Sequence, residues 1–142
     1  MTNGLPKAII TDLDGTIALL NGRNPYNPKT VMNDKVNEPI ADILKTYHKN
    51  TEVTIFIVTG RYERYKKETK KWLKKNKLDF YEKLIMRANK DKRADYNLKT
   101  EIYENEFKGK YDILFVLDDR DQAVETWREI GLTCLQVAEG DF

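Results

Sequence analysis

Three short apolar runs dominate the hydrophobic pattern of the chain, at residues 8–10, 53–58 and 113–117. Each run is almost entirely apolar and rich in β-branched residues, and none alternates between apolar and polar positions. Strands that are covered on both faces have this pattern, which is typical of parallel sheets. Two weaker runs, at residues 84–86 and 133–138, predict two further strands.

Between these runs, apolar residues recur at helical spacing in three segments. Asp121 is predicted as the N-cap of the last helix, and Gly131 as its C-cap. The alternation of strands and helices predicts an α/β fold, a three-layer sandwich around a doubly wound, parallel, Rossmann-like sheet. The positions that define the three helices are Val36, Ile40, Ile43, Leu44 and Tyr47; Tyr65, Thr69, Trp72 and Leu73; and Ala123, Val124, Trp127 and Ile130.

One segment, residues 15–33, interrupts this alternation. It contains one Asn-Gly pair and two Asn-Pro pairs, which favour turns over the interior of a helix or strand. We therefore predict a loop or small flap after the first strand. The 142 residues, of which 40% are hydrophobic, fit a single domain over residues 1–142.

Acidic residues follow two of the three strong strands. Asp12 and Asp14 come directly after the first, in the sequence TDLDGT, and Asp118 and Asp119 end the third. Ligands of open α/β sheets bind beyond the carboxyl ends of the strands, so these four carboxylates are expected to meet in one crevice. Such a cluster is electrostatically costly unless a cation or hydrogen bonds compensate, and oxygen ligands of this kind suit Mg²⁺. A surface turn at Asp12 and a capped helix start at Asp118 are the alternatives.

The second strong strand ends in Val58-Thr59-Gly60-Arg61. A hydroxyl, a glycine whose backbone can approach a ligand, and a guanidinium group together suit a phosphate. Three strand ends thus supply a metal site, a carboxylate nucleophile and phosphate-binding groups.

Composition narrows the classes of protein that the chain can represent. Its single cysteine, Cys134, excludes an intrachain disulfide and a cysteine-based zinc cage. No apolar run is long enough to span a membrane, and the amino-terminal residues lack the pattern of a signal peptide, so we predict a soluble cytoplasmic protein. The net charge is only +2. Without the predicted site aspartates, basic residues clearly outnumber acidic ones in the remainder of the chain, which favours an anionic partner.

These motifs resemble the haloacid dehalogenase superfamily of phosphatases. DLDGT corresponds to its first motif, VTGR to its second and LDDR to its fourth, and Lys99 best matches the lysine of the third. The chain is also similar, over nearly its whole length, to the phosphatase domain of phage polynucleotide kinase-phosphatase. The segments that carry this similarity are AIITDLDGTIALLNGRNPYN, IVTGR, DYNLKTEIY, LDDR, VETWREIG and QVAEGDF.

The resemblance implies a mechanism with a covalent intermediate. Asp12 would attack phosphorus to form an aspartyl-phosphate, and Asp14 would protonate the leaving 3′-oxygen and then activate the hydrolytic water. Mg²⁺ would be held by an oxygen of Asp12, the backbone carbonyl of Asp14 and Asp119, with Asp118 as an indirect or water-mediated partner.

The resemblance also implies which residues hold the substrate. Asp95, four residues before Lys99, would orient Lys99 or an arginine, or else only interact with the dipole of its helix. Arg23 and Arg61 would bind the phosphate or clamp a nucleic-acid backbone. The implied phosphate and substrate residues are Arg23, Thr59, Gly60, Arg61, Asp95 and Lys99.

The activity that follows is a magnesium-dependent 3′-phosphatase acting on RNA or DNA ends, or on nucleoside 3′-phosphates, in nucleic-acid repair. A separate kinase or ligase is a possible partner, because no G-x-x-x-x-G-K-[ST] motif, and so no kinase domain, is present. The rival enzyme is a small-molecule or nucleotide phosphatase of the same superfamily. A nucleic-acid-binding module without catalysis is the rival from another class.

Two basic stretches are candidate nucleic-acid contacts. The lysines between residues 66 and 77 are interpreted first as a solvated helix face and second as a track for a nucleic-acid backbone. Arg87, Lys90, Lys92 and Arg93, which are closer to Lys99 in sequence, are the better candidates beyond the reacting phosphate. Tyr26, in the flap, either stacks on a base or braces the loop.

Overall fold

A computed structural model of the chain describes residues 4–20 and 28–142, with the side chains of residues 28–30 left out. Five parallel strands form the central sheet: β1 (Lys7–Thr11), β4 (Thr54–Tyr62), β5 (Lys83–Arg87), β6 (Asp112–Asp118) and β7 (Cys134–Gln136). Two short strands, β2 (Ala18–Leu19) and β3 (Lys35–Val36), pair antiparallel. The α-helices are α1 (Glu38–Asn50), α2 (Lys66–Lys75), α3 (Asp95–Ile102) and α4 (Asp121–Ile130).

The strand order of the sheet is β5-β4-β1-β6-β7. The chain moves outward from β1 through β4 to β5, crosses back through α3, and continues through β6 to β7. This reversal beside β1 is the switch point at which open α/β sheets form their crevice. The predicted α/β sandwich with a parallel Rossmann-like sheet, including both weaker strands, is confirmed.

Each face of the sheet carries its own apolar core, which explains why the strands are apolar at successive positions. On one face, Ile9 and Ile57 pack with residues of α1 and α2, including Trp72. On the other face, Ile10 packs with residues of α3 and α4, including Trp127. Helices on both faces leave no side of the sheet for polar residues.

The segment after β1 contains more regular structure than its turn-rich sequence predicts. β2 pairs with β3 through Ala18↔Val36 and Leu19↔Lys35, and a 3₁₀-helix covers Pro28–Asn33. Residues 21–27, with the predicted substrate residue Arg23 and with Tyr26, lie outside the described residues. The described residues on the two sides of this gap are joined by the β2–β3 pair.

Three local predictions are corrected. Val36, predicted in the first helix, lies in β3, because α1 begins only at Glu38. Asp121 is the first residue of α4, not its N-cap: its carboxylate accepts a hydrogen bond from Gln136, and its backbone N–H donates to Gly140 O at 2.7 Å. Tyr65 precedes α2 in a 3₁₀ turn and lines a cavity instead of facing the core.

Other local predictions are confirmed. Gly131 ends α4 with φ 104°, the left-handed conformation that favours glycine. Cys134 is a buried core residue, and burial raises the pKa of its thiol to about 12. Among the described residues, none of the helices combines the length and apolar character that a membrane crossing needs.

Candidate active site

A cavity of about 590 Å³ opens at the carboxyl ends of β1, β4 and β6. Asp12 directly follows β1, Thr59 and Gly60 lie near the end of β4, and Asp118 ends β6. Parallel strands bring these positions to the same edge of the sheet. All the predicted site residues that the structure describes line this cavity: Asp12, Asp14, Thr59, Gly60, Arg61, Asp95, Lys99, Asp118 and Asp119.

Three buried aspartates, Asp12, Asp118 and Asp119, form a carboxylate cluster at the bottom of the cavity. Each offers an oxygen atom, and these atoms lie within 4.8 Å of one another. Burial raises the pKa of Asp12 well above its usual range, and the charge of Asp118 adds to the increase. Burial and Asp118 also raise the pKa of Asp119. Burial thus penalises the charged forms of Asp12 and Asp119, and a divalent cation would offset that penalty.

Lys99 lies among three carboxylates from three different elements. Its Nζ atom is 2.8 Å from Oδ2 of Asp118, 3.3 Å from Oδ2 of Asp95 and 3.4 Å from Oδ1 of Asp12. The side chain is only 2% exposed. Burial by itself would lower the pKa of this amine, but the three carboxylates outweigh burial and raise it well above its usual range. Lys99 is therefore a fixed positive charge beside Asp12.

Asp118 is held on all sides by donors. Its Oδ2 atom accepts hydrogen bonds from Lys99 and from Nε1 of Trp127, at 2.8 and 3.1 Å. Its Oδ1 atom accepts from the backbone N–H groups of Asp119 and Arg120, at 2.9 and 3.4 Å. These bonds engage both carboxylate oxygens of Asp118 and fix the turn that carries Asp119.

Asp14 lies on the other side of the cavity and contacts Arg61. Nη2 and Nε of Arg61 donate to the two carboxylate oxygens of Asp14, at 2.5 and 3.3 Å. Arg61 also donates to Oγ1 of Thr69 at 2.9 Å and lies 3.8 Å from Oδ2 of Asp34. The pair is bidentate, a geometry that fixes orientation as well as distance.

Asp95 contacts both a lysine and an arginine. It contacts Lys99, and Nη2 of Arg87 lies 3.4 Å from its Oδ1 atom. Arg87 in turn donates to the carbonyl oxygens of Gly60 and Arg93, at 3.0 and 2.6 Å. A Cβ atom on Gly60 would lie 2.7 Å from Oδ1 of Asp95, so an alanine here would have to displace this carboxylate.

Two glycines allow the backbone to pack against Asp119. Gly15 has φ +81°, and a Cβ atom there would lie 2.7 Å from Cγ of Asp119. Gly140 lies against the backbone of Asp119 and Arg120, where a Cβ atom would come within 2.6 Å of Arg120 Cα. Arg120 also donates to the carbonyl oxygen of Phe142 at 2.8 Å. The GDF segment therefore supports the turn that carries the predicted metal ligand.

The two basic stretches differ in their relation to the cavity. None of the lysines between residues 66 and 77 lines it, and all are exposed, so the solvated helix face and the track for a nucleic-acid backbone both stay predictions. Arg87, Lys92 and Arg93 line the cavity and Lys90 does not. The sequence motifs do not indicate that Tyr62, Arg64 and Tyr65 line the cavity; these residues directly follow the VTGR motif in the run Tyr62-Glu63-Arg64-Tyr65.

The family of the chain follows from its sequence. A profile of the family described as the polynucleotide kinase PNKP phosphatase domain matches residues 6–142. The chain belongs to this family. The match to the PNKP phosphatase domain covers nearly the whole chain, as the sequence motifs predict.

Individual relatives agree with this assignment. The chain is 31% identical over 128 residues to the "Putative bifunctional polynucleotide kinase/RNA ligase" of Autographa californica nuclear polyhedrosis virus, covering 89% of this chain and 18% of that protein. Two solved chains of the Pnkp1/Rnl/Hen1 RNA repair complex are each 44% identical, with TM-scores of 0.94 over 99% of this chain. This chain covers 49% and 45% of the length of those two chains, less than half of each.

More distant solved structures share only the fold. A haloacid dehalogenase-like hydrolase from Streptococcus pneumoniae is 11% identical with a TM-score of 0.63, covering 92% of this chain and 84% of its own. A second hydrolase from the same organism is 14% identical with a TM-score of 0.64. The fold of this PNKP phosphatase domain is therefore the haloacid dehalogenase-like fold.

Proposed function

We propose that the chain is a magnesium-dependent 3′-phosphatase that removes the terminal phosphate from RNA or DNA ends or from nucleoside 3′-phosphates through an aspartyl-phosphate. The observation that carries the proposal is the placement of Asp12. Its carboxylate lies at the bottom of the cavity, within 3.4 Å of the fixed charge of Lys99 and close to Asp119. A nucleophile that attacks an anionic phosphate needs positive charge in this position.

In the first half of the reaction, a carboxylate oxygen of Asp12 attacks phosphorus and the bond from phosphorus to the 3′-oxygen breaks. Asp14 gives its proton to the leaving 3′-oxygen. Lys99 and the hydroxyl of Thr59 bind the non-bridging oxygens, where negative charge must be stabilised. The incoming phosphate competes with Asp14 for the guanidinium of Arg61, which brings this group from its partner toward the substrate.

In the second half, Asp14 as a carboxylate takes a proton from a water molecule that attacks the phosphorus of the aspartyl-phosphate. The bond between phosphorus and the Asp12 oxygen breaks, which restores the carboxylate and releases inorganic phosphate. Asp14 is left protonated, ready for the next substrate. Two smaller barriers replace one large one, which is the usual gain from covalent catalysis.

The chemistry of the donor set fits Mg²⁺. We propose that Asp12 and Asp119, with the backbone carbonyl of Asp14, hold the ion, and that Asp118 holds Lys99 and the turn instead. Asp12 and Asp119 offer oxygen atoms within 4.8 Å of one another, and because burial raises the pKa of both carboxyls, a cation beside them would offset the cost of burying their charge. When bound, the metal would lower the repulsion between the nucleophile and the phosphate.

Similarity supports the nucleic-acid substrate. The family profile is that of a polynucleotide kinase phosphatase domain, and two relatives at 44% identity come from an RNA repair complex. We propose that this chain likewise acts in RNA repair together with a kinase and a ligase. We also propose that residues 1–142 form one phosphatase domain.

The test compares an oligonucleotide that carries a 3′-phosphate with the same oligonucleotide carrying a 5′-phosphate, with Mg²⁺ present. We expect phosphate release from the 3′ end only, and none from the Asp12→Asn variant. Equal release from both ends, or faster turnover of small phosphate esters than of the oligonucleotide, would favour the small-molecule phosphatase. Borohydride reduction of the reacting enzyme followed by peptide mass spectrometry should place the covalent intermediate at Asp12.

A further inference from the structure

Three side chains that the proposed chemistry does not use line one side of the cavity: Tyr62, Arg64 and Tyr65, which we name the stacking platform. The guanidinium carbon of Arg64 lies 4.4 Å from the ring centre of Tyr62 and 5.2 Å from that of Tyr65. Contacts of this kind order a planar cation and leave it open to further stacking. Tyr62 and Tyr65 are half-buried, whereas Arg64 is exposed.

The platform is anchored to the scaffold on both sides. Tyr62 is the last residue of β4 and pairs with Arg87 of β5, whose guanidinium carbon lies 5.8 Å from the Tyr62 ring. The backbone N–H of Arg64 donates to Oδ1 of Asn89, at 2.7 Å, which joins the turn after β4 to the loop after β5. An ordered surface of this kind binds a ligand without the cost of immobilising loose side chains.

Arg64 differs from the other arginines on its side of the cavity in having no carboxylate partner within the described part of the chain. Arg61 pairs with Asp14, Arg87 with Asp95, and Arg93 with Asp91. A cation that lines the cavity without such a partner keeps its charge for a ligand. Because Arg64 also touches none of the reacting groups, its ligand must lie beyond the reacting phosphate.

The position of the platform indicates which part of a substrate it would contact. Adjacent strands are about 4.8 Å apart, and β4 and β5 are the first and second neighbours of β1 on this side. The platform therefore follows the strand beside β1 and shares one cavity with Asp12. A nucleotide chain attached to the reacting phosphate would extend through this cavity toward the platform.

We propose that the stacking platform binds the nucleotides that precede the terminal 3′-phosphate of a single-stranded end. This inference rests on the proposed 3′-phosphatase function and adds a subsite to it. An unpaired base stacks on the exposed guanidinium of Arg64, and Lys92, which also lines the cavity, contacts the backbone. Stacking on aromatic and arginine planes tolerates any base, so the platform selects single-stranded polymer over small phosphate esters without reading sequence.

The experiment measures binding separately from catalysis. In an Asp12→Asn background, fluorescence anisotropy follows a labelled single-stranded oligonucleotide with a 3′-hydroxyl, which offers no terminal phosphate to the reaction centre. We expect Arg64→Ala to weaken binding by about 10- to 100-fold, the effect of losing one to two stacked contacts. Arg64→Lys, which keeps the charge but not the planar group, should restore only part of this loss.

Lys49→Ala serves as the matched control because it removes one positive charge from the exposed end of α1, near the start of β4 and so at the opposite edge of the sheet. It should bind as tightly as the unmodified background. If Arg64→Ala binds no more weakly than Lys49→Ala, the platform only braces the two loops and the proposal is wrong. Equal urea midpoints for the two variants establish that both are folded.

A kinetic comparison separates the failure of the subsite from that of the proposed function. The ratio of kcat/KM for a 3′-phosphorylated oligonucleotide to that for a nucleoside 3′-phosphate should fall at least tenfold in Arg64→Ala, mainly through KM. An unchanged ratio overturns the subsite even if the wild type is an active 3′-phosphatase. The wild type could instead fail to act on 3′ ends while its oligonucleotide binding still depends on Arg64. In that case the proposed function is wrong and the binding role of the stacking platform is supported.

Discussion

Arg61 and Asp14 form a bidentate ion pair in the cavity, with Nη2 of the arginine 2.5 Å from Oδ1 of the aspartate. The two residues come from the ends of neighbouring strands and are brought together only by the fold. The pair orients the residue that we propose as the general acid, in a site where phosphate would compete for the same guanidinium. Its disruption should therefore affect both the position of Asp14 and the binding of phosphate.

We expect Arg61→Lys to lower kcat/KM for a 3′-phosphorylated oligonucleotide by at least about 100-fold, because an ammonium group cannot reproduce the bidentate contact. Loss of the bond to Thr69 should also reduce the free energy of unfolding by about 1–3 kcal/mol. Steady-state kinetics and urea unfolding measure the two effects. Lys67→Arg, an exchange between the same residue types on the exposed face of α2, is the control and should change neither quantity.

Replacing Lys99 by methionine should be strongly destabilising. It leaves the carboxylates of Asp12, Asp95 and Asp118 without their common partner, and breaking one side of a buried ion pair typically costs about 3–5 kcal/mol. We predict that Asp118→Asn in the same chain recovers part of the loss. A double-mutant cycle in urea checks this coupling, and strictly additive effects would contradict it.

Asp12→Asn should stabilise the metal-free protein near neutral pH. Because the pKa of Asp12 is raised in the folded state, its stabilising effect is complete below the unfolded value of about 3.9 and is lost as pH rises through the folded value. An asparagine does not undergo this loss. Thermal melts in EDTA should therefore show a Tm a few degrees higher for the variant at pH 7 and no such difference near pH 4.

The two adjacent aspartates should respond differently to Mg²⁺. We expect Asp119→Asn to weaken metal affinity by about 10- to 100-fold or more and to abolish the increase in Tm on adding the ion. Asp118→Asn should keep a metal-dependent increase but lower kcat, since it releases Lys99. Binding to the folded state at 100 times Kd adds about 2.7 kcal/mol, so melting curves across a magnesium series separate the two variants. The reverse result would assign the metal to Asp118.

Gly60→Ala should impair the site through Asp95. The added methyl group would lie 2.7 Å from Oδ1 of Asp95 and must displace it, at a cost of about 1–3 kcal/mol in stability. If this contact is the cause, Gly60→Ala should cost much less in an Asp95→Ala background. Urea unfolding of the four proteins in this cycle tests the prediction. An equal cost in both backgrounds would place the strain elsewhere.

The sheet and the positions of the acidic groups could be predicted from the sequence because they depend on local patterns. Uninterrupted apolar runs indicated strands covered on both faces, and polar residues at the ends of those runs had to meet at one edge. Asp12, Asp118 and Asp119 were placed together on this argument alone. Lys99 and Asp95 followed from the family motif and not from any physical pattern.

What could not be predicted depends on contacts between residues far apart in sequence. Nothing in the sequence around Arg87 indicates that it binds Asp95 and the carbonyl of Gly60. Tyr65 fitted the apolar face of a helix, but the chain enters α2 through a 3₁₀ turn that directs this ring to the cavity. Asp121 was expected to cap α4, yet Gln136 and Gly140 supply its partners.

The packing of Gly140 on the backbone of Asp119 has a consequence for local unfolding. Residues 138–142 can leave the surface only by uncovering the turn that carries Asp119, so the opening of this segment and the affinity of that turn for a cation are thermodynamically linked. Magnesium should therefore slow amide hydrogen exchange in the GDF segment, at residues that never touch the ion. The order of this peripheral segment then reports on the occupancy of the reaction centre.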